Sequence, residues 1–426
     1  MNGLHSLVLV VIFAAGCVIG RWLHRCVLLF PRHPRLADQL CALRREHGCR
    51  SCATLESGVQ HVPVVSWFVA GRCRNCGRRA DIRRPVVELL TGVLLTLLYW
   101  MEIPNFSDVV VTAGGLWSPE GPRGPEAIES LWSPMVWLHL RYLLHAVMLC
   151  GLIVATVIDF ELRIIPDGCT VPGIVFAVLF SFAAGQVHIV PLWFQDVSTT
   201  NMLRDSLPEL LQPLVFDWNA VEFSRQHPHW HGLLVSVVGL IVGAASIWFV
   251  RVIGFWALRQ EAMGAGDVVL MALIGAAVGW QPVLVVFFVA PLLAIFVAVG
   301  MWLFRRDRDI PYGPWLSIAT LLLLLAWRPV WPYAKRIFDM GPALFVMGLL
   351  LLIALATTLY LMQILKRILG IAGPVSGMPD DWTSADHLSY YGSERPDEQN
   401  GQWLVPMWPG RRSGRGLLQI HIWRGK

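Results

Sequence analysis

The chain has 426 residues, of which 55% are hydrophobic and only 15% are charged, and its mean hydropathy is +0.56. A soluble protein carries roughly a quarter charged residues, so this composition excludes an ordinary soluble protein. The formal net charge of +5 gives no reason to expect a nucleic-acid partner.

Nine apolar stretches, each close to the ~20 residues that cross a bilayer, predict an all-α polytopic membrane protein with about nine transmembrane helices. They lie at about 4–22, 86–101, 135–158, 168–185, 232–253, 267–280, 282–303, 314–328 and 342–365. The sixth is short, and its assignment depends on the glycines before it and on Gln281–Pro282 after it. The first has no Lys or Arg before it and is followed by Arg21 and Arg25. A secretory signal has the opposite charge order, so we expect an uncleaved anchor with its N-terminus outside.

The distribution of positive charge supports this orientation. Twenty-five of the 34 Lys and Arg residues fall in segments that it places inside, and five fall in segments that it places outside, as expected for cytoplasmic enrichment of these residues. The predicted organisation is a first anchor over 1–22, a cytosolic cysteine domain over 23–85, a membrane core over 86–328, an additional transmembrane helix over 329–371 and a cytosolic tail over 372–426. The tail is rich in Gly, Pro, Asp and Ser, which predicts disorder.

Four cysteines in the cytosolic segment have the spacing of a zinc ribbon. Cys49 and Cys52 form one C-x-x-C pair, and Cys73 and Cys76 form a second pair after twenty intervening residues. Disulfides are disfavoured in the cytosol, and four thiolates with no open position indicate a structural zinc ion. The sequence therefore predicts a small zinc-ribbon-like insert. The alternative is a set of four unpaired or redox-active thiols.

Two carboxylates lie at the ends of apolar stretches, where charged residues are rare. Asp159 ends the third stretch and Asp267 begins the sixth, so both lie on the inner side of the bilayer. Carboxylates that share a desolvated site do not both ionise easily; one retains a proton, and the pair can activate water and protonate a leaving group. Gly264 and Gly266 allow a substrate strand to come close, and Leu270 is expected on the lipid face of the same span. Taken singly, Asp159 is also compatible with a membrane-edge charge and Asp267 with a helix N-cap.

These motifs resemble those of the prepilin peptidases, polytopic aspartic proteases that are also called type IV leader peptidases. The segments CRSC, VPVVSWFVAGRCRNCG and RRPVVELLTG are similar to the cytosolic cysteine domain of the family and its adjoining segments. VIDFELRIIPD and EAMGAGD resemble its two aspartate motifs, and IPYGPWLSIA resembles a late segment. The resemblance implies that Asp159 and Asp267 are the catalytic pair. It also implies type IV prepilin or pseudopilin precursors as substrates, cut behind a short basic leader at the inner face of the membrane.

Many members of this family also methylate the new amino terminus with S-adenosylmethionine. The chain departs from the family at Gly20, Gln60 and His61, which lie in or near the N-terminal region associated with that activity. Cleavage is therefore better supported than methylation. A further departure is Val269, where the family usually has a lysine.

Further candidates are less specific. Asp167 is a candidate for the active-site region, with a polar turn or helix start as the alternative. Glu261 and Glu88 match positions of the family, and for each the two readings are a role beside the active site and a structural role. The segment HPHWH, which ends at His231, is interpreted as a solvated outer loop or interfacial anchor rather than a metal site. Residues 102–134 contain no motif that indicates a ligand.

The sequence thus predicts a membrane-embedded aspartic endopeptidase of the bacterial inner membrane. Its partners would be prepilin precursors and membrane lipid, and its cofactors a structural zinc ion and, if methylation is retained, S-adenosylmethionine. The alternative is a non-proteolytic transporter, or a pilus or secretion assembly scaffold, in which the two aspartates relay ions or protons.

Overall fold

The computed structural model describes residues 2–44, 63–64, 67, 75–77, 81–103, 134–185, 187–193, 197–206, 208–209, 212, 220–258, 263–303, 311–338, 340–341 and 343–369. Several predictions concern residues outside this set. They are the zinc ligands Cys49, Cys52 and Cys73, the candidate Glu261 and the tail over 372–426.

The described part of the chain is helical and contains no strand, which confirms the predicted all-α class. A bilayer offers no water to backbone N–H and C=O groups, so long apolar runs satisfy these groups internally as helices. The helices are α1 (Asn2–Leu29), α2 (Leu36–Leu43), α3 (Arg83–Glu102), α4 (Pro134–Leu162), α5 (Asp167–Ala184), α6 (Val197–Ser206), α7 (Ala220–Gln226), α8 (Pro228–Leu258), α9 (Ala265–Val278), α10 (Trp280–Leu303), α11 (Gly313–Leu325), α12 (Trp327–Phe338) and α13 (Ala343–Ile368).

Seven of these helices are long and apolar enough to cross a membrane: α1, α3, α4, α5, α8, α10 and α13. Helices α11 and α12 make an eighth span only when taken together, and the chain bends by 103° between them. Helix α9 has 14 residues, which gives a length of about 21 Å at 1.5 Å per residue. Each predicted apolar stretch overlaps a helix, but the count of nine full spans is not confirmed.

The short helix α9 lies at the centre of the fold, in contact with α4, α5, α8, α10 and α11. Its backbone meets that of α8 at Gly239 and Gly275: a Cβ atom on either residue would overlap the carbonyl oxygen of the other. Every residue of α9 from Leu270 to Val278 is buried. The expectation that Leu270 faces lipid is therefore wrong, because protein encloses this part of α9.

Helices α1 and α3 also approach at glycines. A Cβ atom at Gly16 would lie 2.8 Å from Cα of Gly92, and one at Gly20 would lie 2.7 Å from Cα of Glu88. Small residues four positions apart let membrane helices come into backbone contact. Gly20, one of the departures from the family, is thus required by the α1–α3 crossing.

Side chains from α4 and α8 hold the segment that follows α5. The guanidinium of Arg141 donates hydrogen bonds to the carbonyl oxygens of Val187, at 2.9 Å, and His188, at 3.0 Å. The backbone N–H of Leu192 donates to Nε2 of His231, at 3.0 Å. His231 is buried near the start of α8, so it is not part of a solvated loop.

Candidate active site

Asp159 lies in the last turn of α4 and is only 5% exposed. Its Oδ2 atom accepts a hydrogen bond of 3.1 Å from the backbone N–H of Gly313. Gly313 is the first residue of α11, so the positive end of that helix faces the carboxyl group. The hydrogen bond joins residues 154 positions apart and brings a third helix to the site.

Asp267 is the third residue of α9 and is 7% exposed. The N-cap of α9 is Gly264, whose backbone is extended. Asp267 is therefore not itself the N-cap residue. The start of α9 instead places its carboxyl group inside the fold.

The two aspartates are close enough for their charges to interact. The turn after α4 lies between the helices that carry them: a Cβ atom at Gly266 would lie 2.9 Å from Cβ of Ile165. A Cβ atom at Gly313 would lie 3.1 Å from Cδ1 of Ile165 and 2.6 Å from Oδ2 of Asp159. The end of α4 and the starts of α9 and α11 therefore meet around one small cluster.

Tyr312 directly precedes Gly313, and the sequence alone did not single it out. Its hydroxyl group is buried and has no hydrogen-bond partner among the described residues. Burial, followed by the negative charge of Asp267, raises the pKa of Tyr312 above its ordinary value. The phenol consequently stays protonated near neutral pH and can act as a hydrogen-bond donor. The only signal in the sequence was the IPYGPW segment to which it belongs.

Asp167 is the first residue of α5 and is exposed to solvent. The adjacent Gly168 is buried, and its N–H donates to Oε1 of Gln39, at 2.7 Å. Gln39 in turn donates from Nε2 to the carbonyl oxygen of His33. This arrangement ties α5 to α2 and leaves the carboxylate of Asp167 at the surface rather than in the buried cluster.

Glu88 is fully buried in α3 and accepts two hydrogen bonds. Its carboxylate accepts hydrogen bonds from the backbone N–H of Val64, at 2.5 Å, and from Nε of Arg84, at 3.3 Å. These contacts join α3 to a short described part of the cysteine-containing segment. They support the structural reading of Glu88.

Of the four proposed zinc ligands, the described residues include only Cys76. Cys76 is exposed, and Gly77 after it has a φ of +68°, a left-handed conformation that glycine adopts readily. A reversal of the chain directly behind a cysteine fits a metal-binding turn. The described part of the chain contains no group of three or more residues placed to hold a metal ion.

Two models of protein families match the chain. The bacterial peptidase A24 N-terminal domain matches residues 14–102, and the type IV leader peptidase family matches residues 214–299. The resemblance to the prepilin peptidases is confirmed. Asp267 lies within the second match, and Asp159 lies between the two.

Several proteins that carry prepilin peptidase names are similar in sequence to most of this chain. The prepilin leader peptidase/N-methyltransferase of Aeromonas hydrophila is 25% identical over 285 residues, which cover 65% of this chain and 70% of the relative. The protein of the same name from Neisseria gonorrhoeae is 24% identical over 284 residues, 66% of this chain and 72% of the relative. The type 4 prepilin-like proteins leader peptide-processing enzyme of Escherichia coli O78:H11 is 26% identical over 325 residues, 72% of this chain and 91% of the relative. No solved structure gives a significant match.

Proposed function

We propose that this chain is a membrane aspartic endopeptidase that removes the leader peptide of type IV prepilin or pseudopilin precursors at the cytoplasmic face of the inner membrane. Asp159 and Asp267 are its catalytic pair. The observation that carries the proposal is the convergence of two buried carboxyl groups, from separate helices, at the start of a third helix. The match to the type IV leader peptidase family supports the choice of substrate.

The chemistry needs one proton shared between the two carboxyl groups. The ionised carboxylate takes a proton from water as the water oxygen bonds to the scissile carbonyl carbon, and the protonated carboxyl group gives its proton to the departing amine nitrogen as the C–N bond breaks. Oδ2 of Asp159 already accepts the Gly313 N–H. We therefore expect its Oδ1 to face water or the second carboxyl group.

The proposal also covers the orientation and the cofactors. The N-terminus lies outside, and the cysteine segment and the tail lie in the cytoplasm, in agreement with the Lys and Arg distribution. Cys49, Cys52, Cys73 and Cys76 hold one structural zinc ion, for which their spacing is the support. The names of the relatives support N-methylation of the new amino terminus with S-adenosylmethionine as methyl donor.

The test is cleavage of a prepilin-like peptide by the purified full-length protein in detergent or lipid nanodiscs, with products identified by mass spectrometry. Asp159→Asn and Asp267→Asn should each abolish cleavage, because an amide keeps the shape of the side chain but cannot exchange the proton. Asp205→Asn, at an exposed position in α6, is the matched control and should cleave normally. Normal turnover by either active-site variant, folded and membrane-inserted, would remove that residue from the mechanism. A wild-type protein that never cleaves would instead favour a transporter or scaffold.

A further inference from the structure

The start of α11 contributes two consecutive residues to the active-site cluster. Gly313 gives its backbone N–H to Asp159, and Tyr312 places a phenol within range of the charge of Asp267. The hydroxyl group of Tyr312 is buried without a partner among the described residues. A buried polar group that makes no hydrogen bond costs roughly 1–3 kcal/mol, and such groups in native structures usually have a functional or solvent partner.

The surroundings limit what that partner can be. Tyr312 directly precedes Gly313, the first residue of α11, which lies against Asp159 and Ile165. The backbone therefore holds Tyr312 next to the active-site cluster. A protonated phenol is a good donor towards an oxygen that gains negative charge. In a peptidase, the oxygen that gains charge beside the carboxyl pair is the carbonyl oxygen of the scissile peptide bond.

We propose that the Tyr312 hydroxyl donates a hydrogen bond to the scissile carbonyl oxygen and stabilises the oxyanion formed when water adds. This inference rests on the proposed peptidase function and makes Tyr312 a catalytic residue. As the water oxygen bonds to the carbonyl carbon, the π-electron pair of the C=O bond moves to the carbonyl oxygen, and the water proton moves to the ionised aspartate. The Tyr312 proton stays on the phenol throughout. The oxyanion then re-forms C=O as the amine leaves with a proton from the other aspartate.

The decisive variant is Tyr312→Phe, which removes one oxygen atom and keeps the ring. Loss of an oxyanion donor typically lowers kcat by roughly 10²–10³-fold, and for this neutral donor we expect a fall of at least tenfold with KM nearly unchanged. The matched control is Tyr333→Phe, since Tyr333 in α12 is 72% exposed and should have no effect. Wild-type kcat in Tyr312→Phe would overturn the inference.

Two further readouts separate donation to the substrate from a structural role. The pH profile of kcat/KM should keep its limbs in place in Tyr312→Phe while its height falls; a displaced limb with an unchanged maximum would show that Tyr312 acts through Asp267, and would refute oxyanion donation. A peptide with a difluoromethylene ketone in place of the scissile bond binds as its hydrate, whose two hydroxyl groups stand at the positions of the attacking water and of the scissile carbonyl oxygen. It should bind Tyr312→Phe at least tenfold more weakly than wild type, whereas equal affinity would contradict the proposal.

The same assay distinguishes this inference from the proposed function. If the wild-type protein cleaves and the two aspartate variants do not, the peptidase proposal stands whatever Tyr312→Phe does. If the wild-type protein neither cleaves the peptide nor binds the difluoromethylene ketone analogue, the peptidase proposal itself fails.

Discussion

Gly313→Ala should be the most damaging single-methyl substitution in the described part of the active site. A Cβ atom at this position would lie 2.6 Å from Oδ2 of Asp159 and 3.1 Å from Cδ1 of Ile165. Ordinary van der Waals contact begins at 3.4 Å, so the carboxylate has to retreat by about 0.8 Å. The 3.1 Å hydrogen bond from the Gly313 N–H would then stretch beyond hydrogen-bonding range.

The size of the effect follows from the two losses. A hydrogen bond to a charged group contributes about 1.5–3 kcal/mol, and a displacement of about 1 Å of a catalytic group can cost about 100-fold in rate. We therefore expect kcat/KM to fall by roughly 10–100-fold. The fold should survive, because alanine favours helices by about 1 kcal/mol over glycine.

The assay is steady-state cleavage of a prepilin-like peptide, with thermal unfolding of the same sample as the stability measurement. Gly300→Ala in α10 is the matched control, because a Cβ atom there has no heavy atom within 4 Å, and it should retain full activity. If Gly313→Ala folded normally and cleaved at the wild-type rate, the contact between α11 and Asp159 would have no part in catalysis, and the geometry of the proposed site would be refuted.

Three other predictions concern the surroundings of the site. Gly266→Val should lower activity far more than Gly300→Val, because a Cβ atom at Gly266 would lie 2.9 Å from Ile165; equal effects in the cleavage assay would contradict this. Elemental analysis of protein prepared without chelators should find one zinc per chain, and Cys76→Ser should reduce it; protein without zinc would disprove the ribbon. Burial above all, followed by electrostatic repulsion from His231, His145 and Arg141, lowers the pKa of His188 to about 3. The pKa of a histidine in the unfolded chain is about 6.5. The unfolded state thus binds more protons, so the free energy of unfolding should be greatest above pH 6.5 and fall by roughly 1 kcal/mol per pH unit below it. His188→Phe should flatten that slope in thermal unfolding. An unchanged slope would exclude His188 as its source.

The sequence predicted the helices well because each is a continuous apolar run, and a bilayer forces such runs to be helical. It could not distinguish a helix buried in protein from one exposed to lipid, since both surroundings accept the same apolar side chains. Leu270 illustrates the limit: it was expected at the lipid face and is fully buried. Small residues of α8 and α9 at their crossing indicate burial, but they reveal a contact only once the positions of both helices are known.

The two aspartates were recognisable because carboxylates are rare at the ends of apolar runs. The contribution of α11 was not recognisable, because the group that reaches Asp159 is a backbone N–H, which every residue except proline carries. Tyr312 was hidden for a related reason. A tyrosine beside an apolar run is typical of a membrane interface. Tyr312 differs in having a buried hydroxyl without a partner among the described residues, within range of the charge of Asp267.

The length of α9 gives the depth of the site. Its C-terminal end leads directly into Trp280, which stacks on Trp193 at 5.7 Å and donates to the carbonyl oxygen of Leu192, and paired tryptophans at a helix end are typical of the membrane interface. Measured from that interface, a helix of about 21 Å stops about 9 Å short of the opposite boundary of a hydrocarbon core that is about 30 Å thick. We infer that Asp267, at the N-terminal end of α9, is recessed by about that distance. A substrate with a charged leader and an apolar helix changes from polar to apolar at the membrane boundary, so a recessed carboxyl pair meets the chain close to that junction. The short, enclosed helix would thus place the proposed catalytic pair where a leader must be separated from its membrane segment.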